Sequence, residues 1–180
     1  MLSNKGLASM GYGLAGAIGA SIANPNKRTI LVEGDGGFSQ NLQELATVSR
    51  HELPLKMFLF ANNGYASIRM TQKNYFGGEY LGCDTSTGLG FPNWMSLAAA
   101  FNIEYLELTP ELWDSHHLQT SWRSQKPSLY VVPIDPEQTY FPKISSRVTE
   151  KGSMESAPLH LMTPELDPTI SKTVFRYLSH

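Results

Sequence analysis

The run Leu55–Ala61, LKMFLFA, is almost continuously apolar. A strand with this composition is buried on both faces, the condition of a parallel sheet. A shorter β-rich run, Thr29–Glu33 (TILVE), ends at Gly34 upstream of it. Between the two lies Phe38–His51, with Phe38, Leu42, Leu45, Ala46 and Ser49 along one helical face until Pro54 breaks the pattern. Strand, helix and strand in this order predict a βαβ unit. The alternation continues. A helix starts in Tyr65–Thr71, Asn74–Phe91 reads as a polar loop, and Asn93–Phe101 is helical. Ile103–Leu108 is a third strand, Thr109-Pro110 opens a helix running to about Ser124, and Ser128–Ile134 is a fourth strand. The predicted fold class is α/β, a parallel β-sheet with helices on both faces.

The expected division is a domain over 1–135 and a tail or arm over 136–180. Pro136, Pro142, Pro158, Pro164 and Pro168 punctuate that tail, and only Thr169–Leu178 reads as helical. Hydrophobic residues make up 41% of the 180-residue chain and charged residues 17%. The usual charged share is about 25%, so the surface is under-charged and points to contacts with a partner. A net charge of −2 without a basic stripe argues against nucleic acid. The single cysteine, Cys83, excludes a disulfide framework and a cysteine-based zinc site. Residues 7–23 carry no charge, but the glycines at 11, 13, 16 and 19 make a poor signal peptide, and the run is too short and weakly apolar for a membrane span. It reads as a packed helix with Leu14, Ile18 and Ile22 at helical spacing, ending at Asn24-Pro25-Asn26; the expected location is cytoplasmic. Within the run, Gly11–Gly16 matches G-x-G-x-x-G, the basis of an alternative reading as a nucleotide-binding oxidoreductase. That motif needs a strand immediately before it, and Leu2–Ser9 does not read as one.

Two polar turns close the first two strands: Gly34-Asp35-Gly36-Gly37 and Asn62-Asn63-Gly64, with Asp35 and Asn62 27 residues apart. One βαβ unit separates them, so both open on the same rim, where α/β sheets take ligands. Gly36 and Gly37 leave backbone N–H groups free before a helix N-terminus, a setting that favours phosphate. Asp35 has the wrong charge for a bare phosphate, and a divalent cation removes the conflict. Mg²⁺ takes about six oxygens, typically one or two carboxylates with phosphate oxygens and water. Asp35 offers a carboxylate and Asn62 a neutral side-chain oxygen. Gly64 offers a backbone carbonyl, turned inward through glycine's free dihedrals.

G-D-G, a helix, a strand and then N-N resembles the signature of thiamine diphosphate enzymes. The longer runs SMGYGLAGAIGASIANP, GDGGFSQNLQELATV and ELPLKMFLFANNGY resemble the C-terminal, diphosphate-binding domain of acetolactate synthase-like proteins, a group that includes 2-oxo-acid lyases and carboligases. The resemblance covers most of residues 1–135 and implies the cofactors thiamine diphosphate and Mg²⁺. Asp35, Asn62 and the Gly64 carbonyl match the metal ligands, the run Asn62-Asn63-Gly64-Tyr65 fitting the group's N-x-G-Y. Gly34, Gly36 and Gly37 match the diphosphate turn. Met10 matches the apolar residue that props the cofactor in its folded shape, and Gly11 lets the backbone approach the pyrimidine.

The resemblance also implies that the cofactor carries the hard chemistry on a 2-oxo acid. The activating glutamate belongs to a pyrimidine-binding domain that Glu33 and Glu44 are not placed to replace. The catalytic residue is therefore expected on that partner domain or subunit, in a homo- or hetero-oligomer. The chain is expected to be either a fragment of a longer enzyme or one subunit of a split one, inactive alone. A non-catalytic remnant or regulatory binding domain is the other alternative. Acetolactate synthases usually carry a tryptophan where Thr71 stands, so the acceptor is not specified. The tail segments Tyr140–Ser146 and Ser153–Pro164 are expected either to fold over the site as the group's C-terminal arm does or to form a disordered, Pro-rich end. Arg69 is a candidate carboxylate binder, although an exposed arginine is the commoner case. His116-His117 face apart on a helix, which argues against a shared metal, and Cys83 has no histidine nearby to activate it.

Overall fold

A computed structural model describes residues 1–4, 7–139, 141–158 and 160–177. The chain divides into two compact units, Met1–Glu137 and Gln138–His180. The first unit contains α1 (Tyr12–Ala23), β1 (Thr29–Gly34), α2 (Asp35–Phe38), α3 (Leu45–Arg50), β2 (Leu55–Ala61) and α4 (Ala66–Tyr75). It continues with α5 (Trp94–Ala100), β3 (Glu104–Glu107), α6 (His116–Arg123) and β4 (Ser128–Pro133). The four strands form one sheet in the order β1-β2-β4-β3, and every pairing is parallel.

The period of two along the strands sorts side chains to the two faces. Leu31, Met57, Leu59, Leu129 and Val131 join Leu14, Ile18, Phe38, Leu45, Val48 and Ala98 in the larger core, packing α1, α3 and α5 against one face. Tyr130 and Leu106, with Phe58 and Val132, meet Leu118 and Trp122 of α6 on the other. The parallel α/β sheet with helices on both faces is therefore present. Because β1 and β2 are neighbours in register from Thr29↔Leu55 to Gly34↔Phe60, their polar turns emerge side by side.

Three expectations differ in detail. The helix read over Phe38–His51 begins at Asp35. It passes through a 3₁₀ stretch, Ser39–Glu44, broken by the non-helical Asn41 (φ −136°, ψ 34°). The helix read from Pro110 is a single 3₁₀ turn, Pro110–Leu112, and the chain restarts as α6 where the Ser115 hydroxyl accepts the Leu118 N–H at 3.1 Å. In α1 the buried residues are Leu14, Ala17, Ile18 and Ser21, while Ile22 is exposed. Each i,i+4 step drifts about 40° around a helix of 3.6 residues per turn, so Leu14, Ile18 and Ile22 cannot share one narrow face. No helix among the described residues is long and apolar enough to cross a membrane.

The second unit holds two short antiparallel ribbons, β5 (Lys143–Ile144) with β8 (Met162–Thr163) and β6 (Ser146–Val148) with β7 (Met154–Ser156), and α7 (Pro168–Val174). The ribbons were not legible as strands. Asp167 caps α7 by accepting the Thr169 N–H at 2.8 Å, with Pro168 at the first helical position. Tyr140 and Leu178, the outer bounds of two predicted segments, lie outside the described residues.

At the amino end of the sheet, the run that reads as continuously apolar conceals a fully buried lysine, Lys56. Its ammonium donates to the Ser121 and Lys126 carbonyls at 2.7 and 2.8 Å and to the Ser128 hydroxyl at 2.9 Å. Ser121 and Ser128 both donate to Glu104 Oε2, at 2.5 and 2.8 Å. Desolvation pulls the Lys56 pKa down and the Glu104 charge opposes it. Satisfied in this way the lysine joins β2, β3, β4 and α6; truncated, it leaves buried acceptors unpaired. Lys56→Met is expected to cost about 3 kcal/mol of unfolding free energy, as loss of one member of a buried charged network does. Urea unfolding checks this, and an unchanged midpoint would show that the network adds nothing.

Candidate functional site

Asp35 follows β1 directly and is 1% exposed. Its Oδ1 accepts the Gly36 N–H at 2.8 Å, and its Oδ2 accepts the Asn63 N–H at 2.6 Å. The second bond crosses from one polar turn to the other. Burial raises the Asp35 pKa above the ordinary carboxylate range, against the opposing pull of the Asn63, Gly36, Gly64 and Asn62 backbone. Beside it, Asn62 Oδ1 is buried with no hydrogen-bond partner. A buried carboxylate disfavoured as an anion next to an orphaned amide oxygen is a donor set that a hard cation would satisfy. Among the described residues no group of three or more His, Cys, Asp or Glu is placed to hold a metal ion. A cation here would rest on one carboxylate and neutral oxygens.

Gly36 and Gly64 are closely packed, Gly37 faces the movable end of Glu33, and Gly34 has ordinary room. A Cβ on Gly36 would lie 2.3 Å from the Tyr65 ring, and one on Gly37 would lie 2.6 Å from Glu33 Oε1. The Gly36 N–H, expected to be free, is donated to Asp35. Gly64 was expected to use unusual dihedrals, but the left-handed residue of the turn is Asn63 (φ 58°). Gly64 is needed because a Cβ there would meet the Cys83 carbonyl oxygen at 2.6 Å. It bridges to Asp84, and the Tyr65 N–H donates to Cys83 O at 2.7 Å. The Gly64 carbonyl oxygen lies on the Gly36 side, 3.5 Å from the position of a Gly36 Cβ.

Met10 and Gly11 stand at the entrance to α1. Met10 is 47% exposed, so it is not an ordinary core methionine. Gly11 caps the helix in a left-handed conformation (φ 89°), which favours glycine. No strand precedes Gly11 among the described residues. The backbone N–H groups of Gly13 and Leu14, where a dinucleotide diphosphate would sit, are engaged by the Glu33 carboxylate. The G-x-G-x-x-G reading loses both of its structural requirements.

Several residues at the site were not legible. Glu33 reaches from β1 to the start of α1; burial raises its pKa and its Oε2 is buried without a partner. Gln40 donates to the Tyr65 hydroxyl at 3.1 Å, and Asn41 donates to the Gly11 carbonyl at 2.6 Å. Arg69 is buried rather than exposed. It donates to the Pro136 carbonyl and lies 3.8 Å from Asp84 and 3.7 Å from Glu137. Gln40 and Asn41 carry no distinctive local signal, because Ser39, Gln43 and Glu44 beside them are polar too. Thr71 turns its hydroxyl back to the Ser67 carbonyl at 3.0 Å. His116 and His117 face different partners, Thr120 at 3.5 Å and Glu104 at 3.7 Å. Cys83 is a fully buried free thiol.

A parallel sheet with two interlocked polar turns beyond the carboxyl ends of neighbouring strands defines an α/β ligand-binding domain. The chain belongs to the thiamine pyrophosphate enzyme family: the family model "Thiamine pyrophosphate enzyme, C-terminal TPP binding domain" matches residues 1–132. It is 33% identical over 154 residues to the acetolactate synthase isozyme 2 large subunit of Escherichia coli (strain K12), covering 86% of this chain and 28% of that protein. It is 39% identical over 108 residues to the acetolactate synthase large subunit of Cyanidium caldarium, covering 60% and 18%. A solved structure, the Rhodococcus jostii RHA1 thiamine diphosphate-dependent 4-hydroxybenzoylformate decarboxylase, shares the fold with a TM-score of 0.61 at 21% identity, over 70% of this chain and 23% of that one. The chain thus spans about a quarter of the length of the E. coli relative.

The buried Asp35 carboxyl makes a pH prediction. Its folded pKa lies above its unfolded value, so between the two the folded state keeps a proton that the unfolded state has lost. Stability from this group is full below the unfolded pKa and falls as pH rises through the folded one. Asp35→Asn has no such proton. In metal-free buffer its melting temperature is expected to gain on the native chain as pH rises above about 4. A difference that stays constant with pH would contradict the assignment.

Proposed function

We propose that this chain is the thiamine diphosphate- and Mg²⁺-binding part of a 2-oxo-acid lyase or carboligase similar to acetolactate synthase. The observation that carries the reading is the orphaned Asn62 Oδ1 beside the buried Asp35 carboxylate. Asp35, Asn62 and the Gly64 carbonyl would hold the cation. Gly34, Gly36 and Gly37 would face the diphosphate, with Tyr65 packed on Gly36 to keep the turn closed. Met10, exposed at the start of α1, would support the cofactor from below, and Gly11 would admit the pyrimidine close to the backbone. When bound, thiamine diphosphate supplies the carbon nucleophile and the electron sink for a 2-oxo acid. This chain binds and orients it, and a pyrimidine-binding domain or subunit supplies the activating carboxylate. The complete enzyme is then an oligomer, consistent with the low share of charged residues and with the exposed Tyr12 and Ile22 of α1.

Titration calorimetry tests the reading. Thiamine diphosphate is expected to bind only with Mg²⁺, and Asp35→Ala is expected to lose at least about tenfold in affinity, which is about 1.4 kcal/mol. Binding of NAD with no heat from thiamine diphosphate and Mg²⁺ would overturn it.

A further inference from the structure

We infer that Asn41 is a positioning residue that sets the Met10–Gly11 turn against the diphosphate turn; the inference rests on the thiamine diphosphate reading of the site. Asn41 lies on the helical segment that begins at Asp35 and leaves the helical path for one residue. Its Nδ2 donates to the Gly11 carbonyl at 2.6 Å, across 30 residues of sequence. Its Oδ1 faces Gln43 Nε2 at 3.5 Å, which assigns the amide with its nitrogen towards Gly11. Gly11 is closed in from the same side: a Cβ there would lie 2.9 Å from both Asn41 Nδ2 and Gln40 Cβ. The adjacent Gln40 ties the segment to Tyr65 and, at 3.4 Å, to the Gly36 carbonyl.

One short segment therefore touches both ends of the proposed cofactor site. Asp35, Gly36 and Gly37 stand at its start. Asn41 grips the backbone at Gly11, next to Met10. A hydrogen bond to the Gly11 carbonyl does nothing for a diphosphate or its cation. It matters for a ligand that reaches beyond them to Met10 and Gly11. The Asn41 amide then sets the separation between the two turns together with the Glu33 carboxylate at the start of α1.

This separates positioning from general support. With Mg²⁺ present, Asn41→Ala is expected to weaken thiamine diphosphate binding about tenfold, the effect of about one hydrogen bond. Inorganic pyrophosphate with Mg²⁺ is expected to bind the variant as it binds the native chain. Equal losses for both ligands would mean a merely structural role and would overturn the inference. Asn41→Asp supplies an independent arm. Its carboxylate cannot donate to a carbonyl, whereas the protonated acid can. Relative to the native chain at each pH, its thiamine diphosphate affinity is expected to be low at about pH 8 and to recover towards about pH 5, as a carboxyl beside a carbonyl gains its proton. A deficit independent of pH would overturn the inference. If native protein binds no thiamine diphosphate, the reading of the site fails; if native protein and Asn41→Ala bind it equally, the positioning role alone fails.

Discussion

The bond from the Asn63 N–H to the Asp35 carboxylate is the contact on which the rest of the site depends. It joins the ends of two parallel strands through a buried acidic side chain. Neighbouring positions in the sheet bring the turns alongside, and this bond with that from the Gly36 N–H fixes where the carboxylate points, aided by the Gly64 and Asn62 backbone. The tightness of the surroundings follows. Tyr65 lies where a Gly36 side chain would be, and Gly64 lies against Cys83 with no room for a Cβ. The cost of burial is visible in the raised Asp35 pKa. Such a cost at a sheet rim is expected where a group is kept for binding rather than for stability.

Much of the fold was legible in the sequence. The apolar runs at Thr29–Glu33 and Leu55–Ala61 showed two strands, and the intervening periodicity showed the crossover between them; only the second is largely buried, since β1 lies at the sheet edge with Ile30 and Val32 exposed. Neighbouring placement of Asp35 and Asn62 followed from one βαβ unit. What was not legible depends on contacts across the chain. Asn41 breaks a helix to reach a carbonyl 30 residues away, and nothing local announces it. Lys56 hides in an apolar run because its partners Ser121, Lys126 and Ser128 come from distant elements. Arg69 reads as a surface arginine until the Asp84 loop and the Pro136 carbonyl close over it. Dihedral freedom was the reading for Gly64 alone, and packing room against Cys83 decides that position; Tyr65 limits Gly36 in the same way.

The family assignment and the geometry divide the work between them. Residues 1–132 match a thiamine pyrophosphate enzyme domain, and the decarboxylase structure shares its fold. The relatives are several times longer than this chain, which aligns to 28% of one and 18% of the other. The chain's own contribution is the rim: a buried acid, an orphaned amide oxygen, a cramped pair of turns and a helix entrance held by Asn41.

The most direct test is to locate the cation. Crystals grown with thiamine diphosphate and Mn²⁺ in place of Mg²⁺ would give an anomalous peak. The account predicts that peak at about 2.1 Å from an Asp35 carboxylate oxygen and from Asn62 Oδ1, the spacing of a tight octahedral site. Cofactor density without a peak there, or a cation held by other residues, would contradict it.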